Sequence, residues 1–132
     1  MKGKRLKVGD CFSFITPFKI NIVRFKEGCD GYFSTESPKG SIVAYMREGH
    51  IGTFDQMEGV SFRRQDKAYT ESRKIINGND FLMFQNSTQG YQKSAFYFKD
   101  NHYLVITLTL STLENMDSEF NEILQTLTFN TP

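Results

Sequence analysis

The chain has 132 residues, 39% hydrophobic and 23% charged, with 13 Phe and 6 Tyr supplying much of the apolar volume. That length suits one domain able to bury a core without staples, so residues 1–132 are expected to form a single α+β domain. A net charge of +1 excludes a bulk pull toward nucleic acid or anionic lipid, and no apolar run approaches the roughly 18 residues that span a bilayer.

Lys2, Lys4, Arg5 and Lys7 crowd the start, and residues 1–8 are expected to be a flexible, solvated basic tail. Cys11–Ile15 reads as a strand in which Phe12 and Phe14 alternate with Ser13, and Pro17 ends it or marks a sheet edge. Ile20–Phe25 follows as a second strand, and a turn cluster at Gly28–Gly31 leads into a short strand at Tyr32–Thr35. Ser37-Pro38-Lys39-Gly40 carries turn chemistry. Ser41–Met46 is then a continuous apolar run, the pattern of a strand covered on both faces.

Thr53-Phe54-Asp55-Gln56 has capping-box spacing and opens a mid-chain helix with Phe54, Met57 and Val60 or Ser61 at helical spacing. Gly59 inside that helix costs about 1 kcal/mol relative to Ala.

The second half is the most legible. Ala68–Ile76 and Asp80–Gln85 flank Asn77-Gly78, the two-residue hairpin signal. A polar loop at Asn86–Gly90 precedes a strand at Tyr91–Phe98, and Asp100-Asn101 turns the chain into His102–Leu110. There Leu104, Ile106, Leu108 and Leu110 share one face, and Tyr103, Val105, Thr107 and Thr109 the other. The cover for the aliphatic face is a helix around Ser118–Leu127, capped by Asp117 or Ser118, with Phe120, Ile123, Leu124 and Leu127 in one stripe. Thr128–Asn130 closes the chain as a short strand or simply ends the domain. The expected fold is α+β: an antiparallel meander of about six to seven strands with a mid-chain helix and a C-terminal amphipathic helix on the sheet.

This order of elements resembles the PsbP/Mog1/DcrB-like superfamily of small α/β proteins. The likeness rests on Phe12-Ser13-Phe14, on the hairpin from Tyr97 to Leu110, and on Phe120-x-x-Ile123-Leu124-x-x-Leu127-x-Phe129. The Pro-x-x-Trp usual after the first strand is missing: Pro17 is followed by Phe18-Lys19-Ile20, and the chain has no Trp. A cystatin-like or NTF2-like sheet is the competing architecture. The resemblance implies a binding module, since members are mostly photosystem assembly factors, a Ran-binding protein, toxin chaperones and envelope lipoproteins. It carries over no functional residues.

Catalytic chemistry is not visible. His50 and His102 lack zinc-ligand spacing with the cysteines, no Gly-x-Ser-x-Gly elbow occurs, and no Gly-rich loop could cradle a phosphate. Cys11 and Cys29 are expected to be two buried free thiols, although one bridge between neighbouring strands is geometrically allowed. No catalytic, cofactor or metal site is expected, and the chain reads as a cytoplasmic non-enzyme, with any leader preceding Met1 outside what the sequence shows.

The expected function is non-catalytic protein binding of an adaptor, chaperone or toxin-neutralising kind. The expected surface is a sheet face carrying Arg64, Tyr69, Arg73, Tyr91, Tyr97 and Tyr103, because exposed Tyr beside Arg is the composition of an interface hot spot. A homodimer is compatible with this. Nucleic acid is not the expected partner: Arg63-Arg64 and Arg73-Lys74 lie near Phe62 and Tyr69, but Asp66 and Glu71 dilute the field. The alternative is a binder of small apolar ligands, with a pocket between sheet and helix lined by Phe81, Met83, Phe96 and Phe98.

Overall fold

The computed structural model describes residues 4–26, 28–36, 39–86, 91–112 and 116–129. The expected turn at Ser37-Pro38, most of the Asn86–Gly90 loop and the side chains of residues 21–26 lie outside the described residues, and the C-terminal helix begins at Met116, so the expected caps Asp117 and Ser118 lie inside its first turn.

Lys4–Val8 is a strand, β1, paired antiparallel with β2 at Phe12–Thr16. Over residues 4–8 this corrects the expected flexible tail, whose first three residues lie outside the described residues. Leu6 and Val8 are buried while Arg5 and Lys7 stay outside, a period-two pattern hidden by the charge around it. The Arg5 guanidinium donates to the Ser13 hydroxyl at 2.9 Å and to the Thr126 carbonyl at 3.2 Å, which ties the strand to both ends of the chain.

Three strands follow in a meander, β3 (Ile20–Lys26), β4 (Asp30–Thr35) and β5 (Gly40–Glu48). A second meander comprises β6 (Tyr69–Ile76), β7 (Asn79–Asn86), β8 (Tyr91–Lys99) and β9 (His102–Leu110), within a residue or two of the sequence expectation. Asn77 and Gly78 have φ of 51° and 79°, as a two-residue hairpin turn requires. Pairing of β5 with β9 joins the meanders into a seven-stranded antiparallel sheet, in the order β3-β4-β5-β9-β8-β7-β6. The C-terminal helix α2 (Met116–Gln125) leads to β10 (Thr128–Phe129), which adds to β2 and completes a separate three-stranded sheet. The fold is thus α+β, with a second small sheet that the sequence did not announce.

Both faces of the large sheet carry cover, the second only in part, since Tyr32 and Val43 stay exposed. On one, Leu104, Ile106, Leu108 and Leu110 meet Phe120, Ile123 and Leu124 of α2 together with Phe12 and Phe14 of β2. The helix therefore shares the cover with the small sheet, and the Phe14 ring meets Phe33 edge-on at 5.9 Å. On the other, Phe54, Met57 and Val60 cover Leu82, Phe84, Phe96 and Val105.

The mid-chain cover is not one helix. A single 3-10 turn at Phe54–Gln56 is followed by a short α1 at Val60–Gln65, separated by Gly59 in the left-handed region. The expected capping box does not form: the Thr53 hydroxyl caps nothing, and the Gln56 side-chain carbonyl reaches one residue too far, accepting from the Gly52 N–H at 2.7 Å. Among the described residues no helix is long and apolar enough to cross a membrane.

Candidate functional site

The sequence-nominated residues do not share one face. Strand register decides this: Tyr91 sits opposite Leu110 and Tyr97 opposite Leu104, on the aliphatic side, and Tyr97 is only 8% exposed. Arg64, Tyr69, Arg73 and Tyr103 lie on the other side, around the 3-10 turn and α1. Their positive charge is already answered. Arg64 pairs with Glu71 at 2.9 Å and with Asp55, and Arg73 pairs with Asp80 at 2.6 Å while its guanidinium stacks 4.7 Å from the Phe54 ring. Each carboxylate raises its partner's guanidinium pKa, and Arg73 holds Asp80 below the usual carboxylate range. The two arginines line a shallow depression of about 450 Å³ in which each guanidinium is already paired with a carboxylate.

The alternative pocket does not form either. Phe81 and Met83 belong to the core beneath α2, whereas Phe96 and Phe98 belong to the core beneath the 3-10 turn, where Phe98 meets the Phe54 ring at 4.9 Å. Because Leu82 is the residue opposite Phe96, its neighbours Phe81 and Met83 point through the other side of the sheet.

A cleft of about 1000 Å³ opens elsewhere, at the end of the large sheet where it meets the small one. Its floor is apolar: Met46 from β5, Tyr97 from β8, and Phe129 from β10, whose ring stacks on Tyr97 at 5.4 Å and 22°. One wall is a disulfide between Cys11 and Cys29, whose Cα atoms lie 5.8 Å apart. This corrects the expectation of two free thiols. Cys11 sits in the β1–β2 turn and Cys29 in the β3–β4 turn, and only the stacking of one sheet on the other brings those turns together.

The rim carries both signs. Asp10, Glu48 and Asp100 share it with Lys99 and Arg47, His102 also lines it, and Arg47 is held by Asp30 and lies 4.7 Å over the Tyr45 ring. Burial, helped by Asp100, pushes the Tyr97 phenol pKa up, and the protonated phenol is a hydrogen-bond donor within the otherwise apolar floor. Such a site can grip an apolar group and a polar end at once. Both cysteine sulfurs are tied in the bridge, and among the described residues no three His, Cys, Asp or Glu side chains converge as metal ligands would. Of the residues nominated from sequence only Tyr97 lines this cleft. The signals for the rest were the cysteine pair and the Asp100-Asn101 turn beside His102.

No family model matches the chain, and no curated protein matches it. Solved structures do, two of them as follows. One is a protein of Bacteroides thetaiotaomicron VPI-5482, with a TM-score of 0.65 and 16% identity over 99% of this chain. The chain spans 50% of that protein's length. The other is cyanobacterial PsbP (CyanoP) from Synechocystis sp. PCC 6803, with a TM-score of 0.62 and 12% identity, covering 96% of this chain and 91% of that one. At these identities the likeness is one of fold, and the chain has the PsbP/Mog1-like architecture.

Proposed function

We propose that the chain is a non-catalytic binding module whose working site is the cleft between the two sheets, occupied by a segment of a protein partner. The observation that carries this is the cleft itself, an apolar floor of Met46, Tyr97 and Phe129 inside a rim of mixed charge. A desolvated aromatic floor with a polar rim is the anatomy of a binding hot spot. The Cys11–Cys29 bridge supports an oxidising compartment in place of the cytoplasm suggested by the sequence.

The test is affinity capture with exchanged surface charges. Glu48→Lys and Lys99→Glu change exposed rim residues and leave the floor intact. Each is expected to weaken partner capture about tenfold, or about 1.4 kcal/mol. The control is Val43→Arg, on the part of the opposite face that α1 leaves open. Loss of the partner from Val43→Arg, with full retention by both rim variants, would move the site to that face. Absence of any stoichiometric partner, with turnover of a substrate, would remove the binding reading altogether.

The same floor supports a second reading, a small ligand with an apolar body and a hydrogen-bond acceptor for Tyr97. A thermal-shift screen separates the two, because only a small-molecule binder gains melting temperature from such compounds.

A further inference from the structure

β6 ends the seven-stranded sheet, and no strand pairs with its outer side among the described residues. Residues 70–75 of this eight-residue strand are all exposed. Two large apolar side chains are stranded at its two ends: Ile75 is 73% exposed, and Phe62 of α1, which packs edge-on against Tyr69, is 61% exposed.

The register with β7 says which backbone groups are unclaimed. Ile76 and Asn79 close the two-residue turn as a hydrogen-bonded pair, so alternate residues back along the strand also bond to β7. Tyr69, Glu71, Arg73 and Ile75 therefore turn their N–H and C=O groups outward. The Tyr69 N–H is taken by the Asp66 carbonyl at 3.1 Å, which ends the free row at that residue.

We propose that β6 pairs antiparallel with β6 of a second copy of this chain, about a two-fold axis at Ser72. The two large sheets then become one continuous sheet. An isologous antiparallel pair keeps each face in register, so odd residues meet odd and even meet even. Centring on Ser72 sets Glu71 against Arg73 of the second copy, and Ile75 against Tyr69 of the second copy, beside its Phe62. Glu71 and Arg73 each meet the opposite charge, Lys74 lies against Thr70, and each stranded apolar group is covered. Glu71, Arg73 or Lys74 on the axis would instead set like charges face to face, which destabilises cross-strand pairs. The existing ion pairs extend the match. Arg64 already holds Glu71 and Asp80 already holds Arg73, so a row of alternating sign runs across the axis.

Ser72 tests the register directly. Residues opposed across the axis in a non-hydrogen-bonded pair have Cα atoms about 4.5 Å apart, within disulfide range. Mild oxidation of Ser72→Cys is expected to give a covalent dimer, with the native bridge kept. Thr70→Cys and Lys74→Cys, each opposite the other and not itself, are expected to give none. In sedimentation equilibrium the unmodified chain is expected to dimerise with rising concentration, and Ile75→Lys to weaken that dimer at least tenfold. Ile75 is exposed, so its replacement spares the folded monomer, which circular dichroism will verify. A chain that stays monomeric at every concentration, or equal cross-linking at all three positions, overturns the proposal.

Discussion

At Gly59 the backbone passes through φ 93° just before α1 begins, and a Cβ there would lie 2.7 Å from the Arg63 guanidinium. The same guanidinium donates to the Gly59 carbonyl and stacks on the Tyr69 and Phe96 rings, 5.3 and 5.4 Å from their centres. Helix propensity alone would have Gly59→Ala stabilise the chain by about 1 kcal/mol. The left-handed conformation reverses the sign, because an L side chain there costs roughly 1–2 kcal/mol. Urea denaturation should show a lower midpoint for Gly59→Ala; a higher one would place the residue inside a helix. Tyr97 makes the same point about single residues. Its place on a strand was legible, but its burial depended on Leu104, its partner across the β8–β9 ladder.

Among elements, β6 to β9 and α2 were legible because their signals are local: alternation, a two-residue turn, a single apolar stripe. β1 was not, because three basic residues mask the Leu6 and Val8 alternation and its partner β2 supplies the reason to order it. Within α2, Glu119 carries a testable consequence. Burial, then the neighbouring Glu122, pushes its carboxyl pKa up, and its Oε2 is buried with no hydrogen-bond partner among the described residues. A folded pKa above the unfolded one means that the fold prefers the protonated acid. That contribution is full below the ordinary Glu range and is lost as pH rises through the raised value. Glu119→Gln is therefore expected to be more stable than the parent at neutral pH, with the gap closing below about pH 4. Denaturation at both pH values checks this; a gap that does not change with pH would mean that ionisation of Glu119 is not its source.

For the whole molecule the decisive connection is the Cys11–Cys29 bridge, which joins the turn of the small sheet to the turn at the edge of the large one. It closes a loop with a sequence separation of 18. Loop-closure entropy for such a span is worth about 3 kcal/mol, a large share of a stability that runs to roughly 5–15 kcal/mol for a domain. Reduction, or replacement of both cysteines by Ser, is expected to lower stability by about that amount. It should also loosen the cleft wall. Denaturation with and without reductant measures it, and an unchanged midpoint would show that the bridge constrains nothing.

By itself the sequence determined the second meander and the apolar stripe of α2, since periodicity and turn chemistry act over a few residues. From the order of elements it also drew the PsbP/Mog1-like resemblance that the structural neighbours bear out. Tertiary structure alone decided which faces are covered, where the tyrosines point, that the basic start is a strand, and that a cleft opens beside a disulfide. Each of these needs two segments distant in the chain to meet: β5 with β9, β2 with β10, the turn at Cys11 with the turn at Cys29. No local pattern encodes such a meeting. It follows from burying both faces of one sheet at once.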